Sequence, residues 1–324
     1  MIPSSPSGRS PSSIEPEPGG VQRWRLTNSL SGQPDRRARQ LELARTLGLD
    51  IDTELPIVRK TTPMRSPAGA RGALVIYAFR DTEPSADAPL LLFSHGGRIQ
   101  ARPALASFSF FVLVAALAKA GLPIIPAAVD HRGASCHVAK LGYCLADRVV
   151  DLRVAHARLL EHFGGRPRAL ALMGISMGGH VSAMAAERLG ARTLILSCPA
   201  AYSERAHFAP LGPSFTAALR RPGSWRQSPA FAAIERHLLG GGSFALRFSR
   251  FDQVIPEDLT RRYVALARQA PRSSRVIDSD PDHWSTTAAG TAALVEHLRE
   301  FVVESARRPA ERSEPILGSL SETR

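Results

Sequence analysis

Short runs of Leu, Val, Ile and Ala alternate along this chain with longer stretches whose apolar residues recur at helical spacing. The short runs fall at 73–79, 89–94, 123–129, 169–174, 193–198, 243–248 and 274–277, bounded by the glycine, proline and polar residues that punctuate strands. The longer stretches predict helices at 102–120, 146–163, 177–189, 257–269 and 286–303, preceded by a short amphipathic helix at 37–49 that carries Leu41, Leu43, Leu47 and Leu49. Strands alternating with helices predict the α/β class, with a mostly parallel central sheet and helices on both faces.

The alternation is interrupted once. Residues 199–240 hold prolines, glycines, aromatics and short helical pieces where a plain crossover helix would suffice, which predicts a small helical lid above the sheet. Residues 1–36 are rich in Pro, Ser, Gly and Arg without hydrophobic period, and the chain turns polar again after Phe301, Val302 and Val303. Such segments bury too little apolar surface to offset the entropy of ordering. The expected organisation is therefore a disordered tail at 1–36, one domain at 37–304 containing the lid, and a second disordered tail at 305–324.

Composition narrows the class further. At 324 residues, with 44% hydrophobic and 22% charged residues, the chain is long enough for a large buried core and reads as globular. A net charge of +12 invites a nucleic-acid partner, but all but three of the 41 basic residues are arginine, spread through tails, helices and loops rather than gathered into one patch. This argues for compositional bias, and no nucleic-acid partner is expected. Cys136, Cys144 and Cys198 match neither a metal-ligand spacing nor a disulfide framework, and the amino terminus has no apolar core of a secretory signal. These features fit a reducing, cytoplasmic location. The most apolar helix candidate, 104–118, is interrupted by Ser107 and Ser109 and is shorter than the roughly 20 residues that cross a bilayer, so no membrane insertion is expected.

The strongest chemical signal is Gly174-Ile175-Ser176-Met177-Gly178, which follows an apolar strand and opens a helix. In that setting G-x-S-x-G is a nucleophile elbow: a sharp turn that exposes the serine hydroxyl, with glycines where neighbouring backbone must pass close. The following helix directs its N-terminal N–H groups toward developing negative charge.

With these residues the chain resembles the α/β-hydrolase superfamily over about residues 70–303. Ser94-His95-Gly96-Gly97 is similar to the family's oxyanion loop, and Asp130-His131-Arg132-Gly133 to its D-x-R-G turn. The resemblance implies a serine hydrolase with Ser176 as nucleophile, and with Gly97 and Met177 donating backbone N–H groups to the oxyanion. Its order of nucleophile, acid, histidine implies His283, in Asp280-Pro281-Asp282-His283-Trp284, as the base. The implied acid is Asp252, in the D-x-x-x-P turn Asp252 to Pro256, with Asp278, Asp280 and Asp282 as rivals beside the histidine. Arg98 departs from the longer H-G-G-G loop, and Ser249 stands where many relatives have glycine.

The chemistry implied is cleavage of an ester, thioester or similar acyl bond in a small molecule, with no cofactor and no metal. An acyltransferase would use the same residues, and a receptor or scaffold on the same fold is the alternative from another class. Phe208, Phe215, Trp225 and Phe231 in the lid are candidates for a substrate-binding wall, or else pack the lid onto the core. No role falls to the cysteines.

Overall fold

The computed structural model describes residues 21–65, 71–79, 87–97, 105, 107–132, 142–166, 168–270, 274–278, 282–283 and 285–307. Its core is a sheet built from β1 (Val21–Arg25), β2 (Glu54–Arg65), β3 (Arg71–Phe79), β4 (Leu90–Ser94), β5 (Ile125–Asp130), β6 (Leu170–Ile175), β7 (Thr193–Ser197), β8 (Ser243–Phe248) and β9 (Arg275–Asp278). The spatial order is β1-β2-β3-β5-β4-β6-β7-β8-β9. From β5 onward through the far edge every pairing is parallel, while β1, β2 and β3 join through antiparallel pairings. The helices are α1 (Pro34–Thr46), α2 (Phe108–Lys119), α3 (Leu145–His162), α4 (Met177–Ala186), α5 (Glu204–Phe208), α6 (Pro213–Leu219), α7 (Pro229–Leu239), α8 (Glu257–Gln269) and α9 (Ala288–Arg307).

The central strands are continuous apolar runs because both of their faces are covered. On β4, Leu90 and Leu92 join the core under α3 and α4, whereas Leu91 and Phe93 join the core under α2 and α9. Phe93 stacks on Phe110 of α2 with ring centroids 4.3 Å apart. Truncating such a side chain to alanine costs about 3–5 kcal/mol. Among the described residues no helix is long and apolar enough to cross a membrane.

Residues 21–36, expected as part of a tail, are ordered: they form β1, a short 3-10 turn at Leu26–Ser29 and the start of α1. Three side chains anchor them. Leu26 is buried, Trp24 lies 5.9 Å from Phe111 between ring centroids, and Ser29 Oγ donates to the Leu105 carbonyl at 2.8 Å. Anchors this sparse leave no period in the sequence. β2 went unrecognised for a related reason: it carries Pro56 and Pro63, and only Leu55 and Ile57 along it are buried. Residues 1–20 and 308–324 lie outside the described residues. Between β7 and β8, α7 packs against α4 as a crossover helix does, so the inserted part is the α5–α6 piece and the turn after it.

Candidate active site

The C-terminal ends of the parallel strands share one edge of the sheet, where ligands bind in open α/β folds. Ser94 pairs with Gly174, Ile175 with Ser197, Ser197 with Arg247 and Phe248 with Asp278. This register brings the residues that follow each strand together: His95-Gly96-Gly97 after β4, His131 after β5, Ser176 after β6, Cys198 after β7, Asp252 after β8 and His283 after β9.

Ser176 sits at the elbow with φ 53° and ψ −119°. Among the described residues only it and Cys198, at φ 41°, are non-glycine residues with positive φ. A non-glycine residue held there costs on the order of 1–3 kcal/mol and persists only where its surroundings enforce it. The enforcing contacts are backbone hydrogen bonds: Ser176 N–H donates to Ser197 O at 3.0 Å, and Ser176 O accepts from Gly179 N at 2.9 Å and Ala200 N at 2.9 Å. The flanking glycines make the turn possible. A Cβ on Gly174 would fall 2.2 Å from the Gly178 carbonyl oxygen, and one on Gly178 would fall 2.1 Å from that of Ser94.

His283 and Asp252 meet across 31 residues of chain, with Nδ1 2.7 Å from Oδ2. The other carboxylate oxygen of Asp252 accepts from Val254 N at 2.8 Å and Ile255 N at 2.9 Å. Burial alone pushes this carboxyl up, but the His283 hydrogen bond and the two N–H groups outweigh it and hold the group below its ordinary value. An ionised carboxylate only accepts, so His283 carries its proton on Nδ1 and leaves Nε2 as the acceptor nitrogen. Cys198 Sγ and the donor atoms of this pair lie within 4.8 Å of one another. The Cys198 turn thus links the His–Asp pair to Ser197 and Ala200, the residues that hold Ser176.

The Gly96-Gly97 loop passes over the elbow: a Cβ on Gly96 would lie 3.4 Å from Ser176 Cβ and 3.9 Å from Ser176 Oγ, and one on Gly97 would lie 3.0 Å from Met177 Cε. Below the loop, Ser94 Oγ is 2.8 Å from His131 Nε2, and His131 Nδ1 stands 3.4 Å from Asp151 Oδ2. This is a second Ser–His–Asp arrangement, but Ser94 is fully buried and no substrate can reach it. Asp151 also takes the Arg132 backbone N–H at 2.9 Å and the Arg132 guanidinium, so the network braces the ends of β4 and β5.

No family model matches the chain, and no curated protein matches it by sequence. Among solved structures it is similar to brefeldin A esterase, a bacterial homologue of human hormone sensitive lipase, with a TM-score of 0.51 and 18% identity over 83% of this chain and 84% of that one. Peroxisomal α/β-hydrolase Lpx1 from Saccharomyces cerevisiae aligns with a TM-score of 0.51 and 13% identity over 81% of this chain and 93% of its own. A putative dipeptidyl aminopeptidase IV from Bacteroides ovatus aligns with a TM-score of 0.51 and 13% identity over 76% of this chain and 36% of its own.

The chain has the α/β-hydrolase fold. Within it, Ser176, Asp252, His283, Gly97 and Met177 all lie at the carboxyl edge of the sheet. Two of the rival acids have partners of their own. Asp282 accepts from Ser285 N at 2.7 Å and faces Arg39 at 3.3 Å, Asp278 pairs with Arg250, and Asp280 lies outside the described residues, as do Arg98, Gly133, Cys136 and Trp284.

The four lid aromatics do not form one wall. Phe208 is 61% exposed, whereas Phe215 is buried 5.2 Å from the Tyr202 ring. Trp225 meets Phe231 edge-on at 6.3 Å, and Phe231 packs on Tyr263 of α8 at 5.3 Å, so Phe231 joins the core as Phe215 does, with half-buried Trp225 packed against it. The sequence gives Cys198 no role and singles out neither Tyr202 nor Arg148. The position of Cys198 directly after an apolar strand was the available signal, since loops at that edge carry the chemistry of such sheets.

Proposed function

We propose that this α/β-hydrolase-fold protein is a serine hydrolase that cleaves an ester or thioester through an acyl-enzyme. The observation that carries the reading is the meeting of His283 and Asp252 at 2.7 Å, at the sheet edge where Ser176 is held in a strained elbow. Ser176 Oγ attacks the acyl carbonyl while His283 Nε2 takes its proton, and Asp252 keeps the imidazole in the required tautomer and stabilises the imidazolium. Backbone N–H groups of Gly97 and Met177 receive the oxyanion. The imidazolium then protonates the leaving alcohol or thiol, and water, activated by the same histidine, releases the acid. That an esterase is among the structural neighbours favours ester chemistry.

Labelling with a fluorophosphonate probe and hydrolysis of aryl esters test this reading. Wild-type protein is expected to be labelled at Ser176 and to turn over, and Ser176→Ala to lose both while keeping its fold, with activity down by roughly 10⁴ or more. A folded Ser176→Ala protein that keeps most of the activity removes Ser176 as nucleophile.

A further inference from the structure

Arg148, on the first turns of α3, is 3% exposed, and no carboxylate among the described residues comes within salt-bridge distance of it. Its Nε has no hydrogen-bond partner. Asp151, one turn further along the helix, is already occupied by Arg132 and by His131. Burial pulls the guanidinium down to about 10, so it remains a cation at neutral pH. A buried, unpaired cation costs several kcal/mol, and the fold keeps this one under the oxyanion loop.

Its one side-chain hydrogen bond among the described residues is the informative contact: Arg148 Nη1 donates to the Gly96 carbonyl oxygen at 3.4 Å. The same oxygen lies 2.6 Å from His95 Nδ1. Burial, with Arg148 and His131 nearby, holds His95 well below its ordinary value, so the ring is neutral and its Nδ1–H is the donor. Two donors, one charged, therefore converge on one carbonyl. That carbonyl belongs to the amide whose nitrogen is Gly97 N. Among the described residues no peptide is cis, so the C=O and N–H of this amide point in opposite directions.

We propose that Arg148 is a positioning residue for the oxyanion hole, polarising and orienting the Gly96–Gly97 peptide so that the Gly97 N–H is held as a strong donor toward the reacting carbonyl oxygen. A cation at the oxygen end draws electron density from the amide and strengthens its N–H, as hydrogen bonds in a chain reinforce one another at low dielectric. Together with His95 Nδ1–H on the same oxygen, it also opposes rotation of a peptide between two glycines, which have no side chains of their own to restrain it. This inference rests on the serine hydrolase reading.

The test compares an aryl ester with its thionoester, in which sulfur replaces the carbonyl oxygen, using full-length wild-type protein and the Arg148→Met, Arg148→Gln and Arg148→Lys variants. Sulfur accepts hydrogen bonds weakly, so the ester-to-thionoester ratio of kcat/KM reports the oxyanion hole rather than general integrity. Removing a whole oxyanion donor costs roughly 10²–10³, so weakening one by Arg148→Met should lower ester kcat/KM about tenfold. The thionoester should fall much less, and Arg148→Lys, which keeps the charge, should restore most of the ratio. Arg148→Gln decides the matter if the methionine variant does not fold, because a neutral donor should still narrow the ratio. Equal losses on ester and thionoester in the folded neutral variants would overturn the proposal. So would a loss confined to anionic esters, which would make Arg148 a substrate-binding cation. A wild-type protein that neither labels nor turns over fails the hydrolase reading itself, and this proposal with it.

Discussion

His283 Nδ1 donates to Asp252 Oδ2 at 2.7 Å, while the second oxygen of the same carboxylate is tied to the Val254 and Ile255 N–H groups. The carboxylate is thereby oriented by its own turn before it meets the ring. A histidine held this way has one tautomer and one direction.

Asp252→Asn should therefore lower kcat strongly, toward the roughly 10⁴ loss that follows neutralising a triad acid. Asp282→Asn should stay within about threefold, because Asp282 caps Ser285 N and faces Arg39, and surface pairs of this kind contribute little. Steady-state kinetics on one aryl ester separates the two. The reverse ranking would place the acid in the histidine's own loop.

Phe215 and Trp225 should respond differently to truncation. Phe215 lies against Tyr202, four residues after Cys198, whereas Trp225 packs through Phe231 onto Tyr263. Phe215→Ala should change the relative kcat/KM of short and long acyl esters by at least about tenfold, since a single methylene in an apolar pocket is worth roughly 1–3 kcal/mol. Trp225→Ala should scale all substrates alike and lower stability by about 1–3 kcal/mol. If Phe215→Ala also scales every substrate equally, selectivity does not reside in this part of the lid.

Stability should fall steeply in mild acid. Burial lowers the pKa of His95, His131, His156, His180, His207, His237 and His297, reaching about 3 for His180 and about 4 for His156 and His297. Below the unfolded value of about 6.5, the unfolded chain binds protons that the folded chain refuses, so the folded state loses ground as pH falls. Each such histidine removes about 1.4 kcal/mol per pH unit over its own window, which runs from about 6.5 down to its folded value. Asp252, lowered in the folded state, adds a loss in the same direction only at lower pH, below the ordinary carboxylate range. Urea midpoints should be level above pH 7 and clearly lower at pH 5. A flat profile between those values would mean that the rings are solvated or paired as cations.

The alternation of strand and helix and the Gly174–Gly178 elbow were legible in the sequence, because each is a local pattern set by backbone geometry and period, whereas Asp252 and His283 were singled out by the family resemblance. A glycine that must let a carbonyl pass at 2.1 Å, as Gly178 does, leaves its mark at one position. What tertiary structure alone decided are relations between segments with no local signature. Trp24 and Leu26 look like tail residues until Phe111 and the α2 core give them somewhere to pack. The lid aromatics read alike in sequence, yet Phe208 faces solvent, Phe215 and Phe231 enter the core and Trp225 is half-buried against it, since an aromatic side chain does not encode its partner. Arg148 is one of 41 basic residues by composition. Only the approach of α3 to the Gly96-Gly97 loop, which buries it against Gly96 with no counter-ion among the described residues, sets it apart from the arginines that solvent screens.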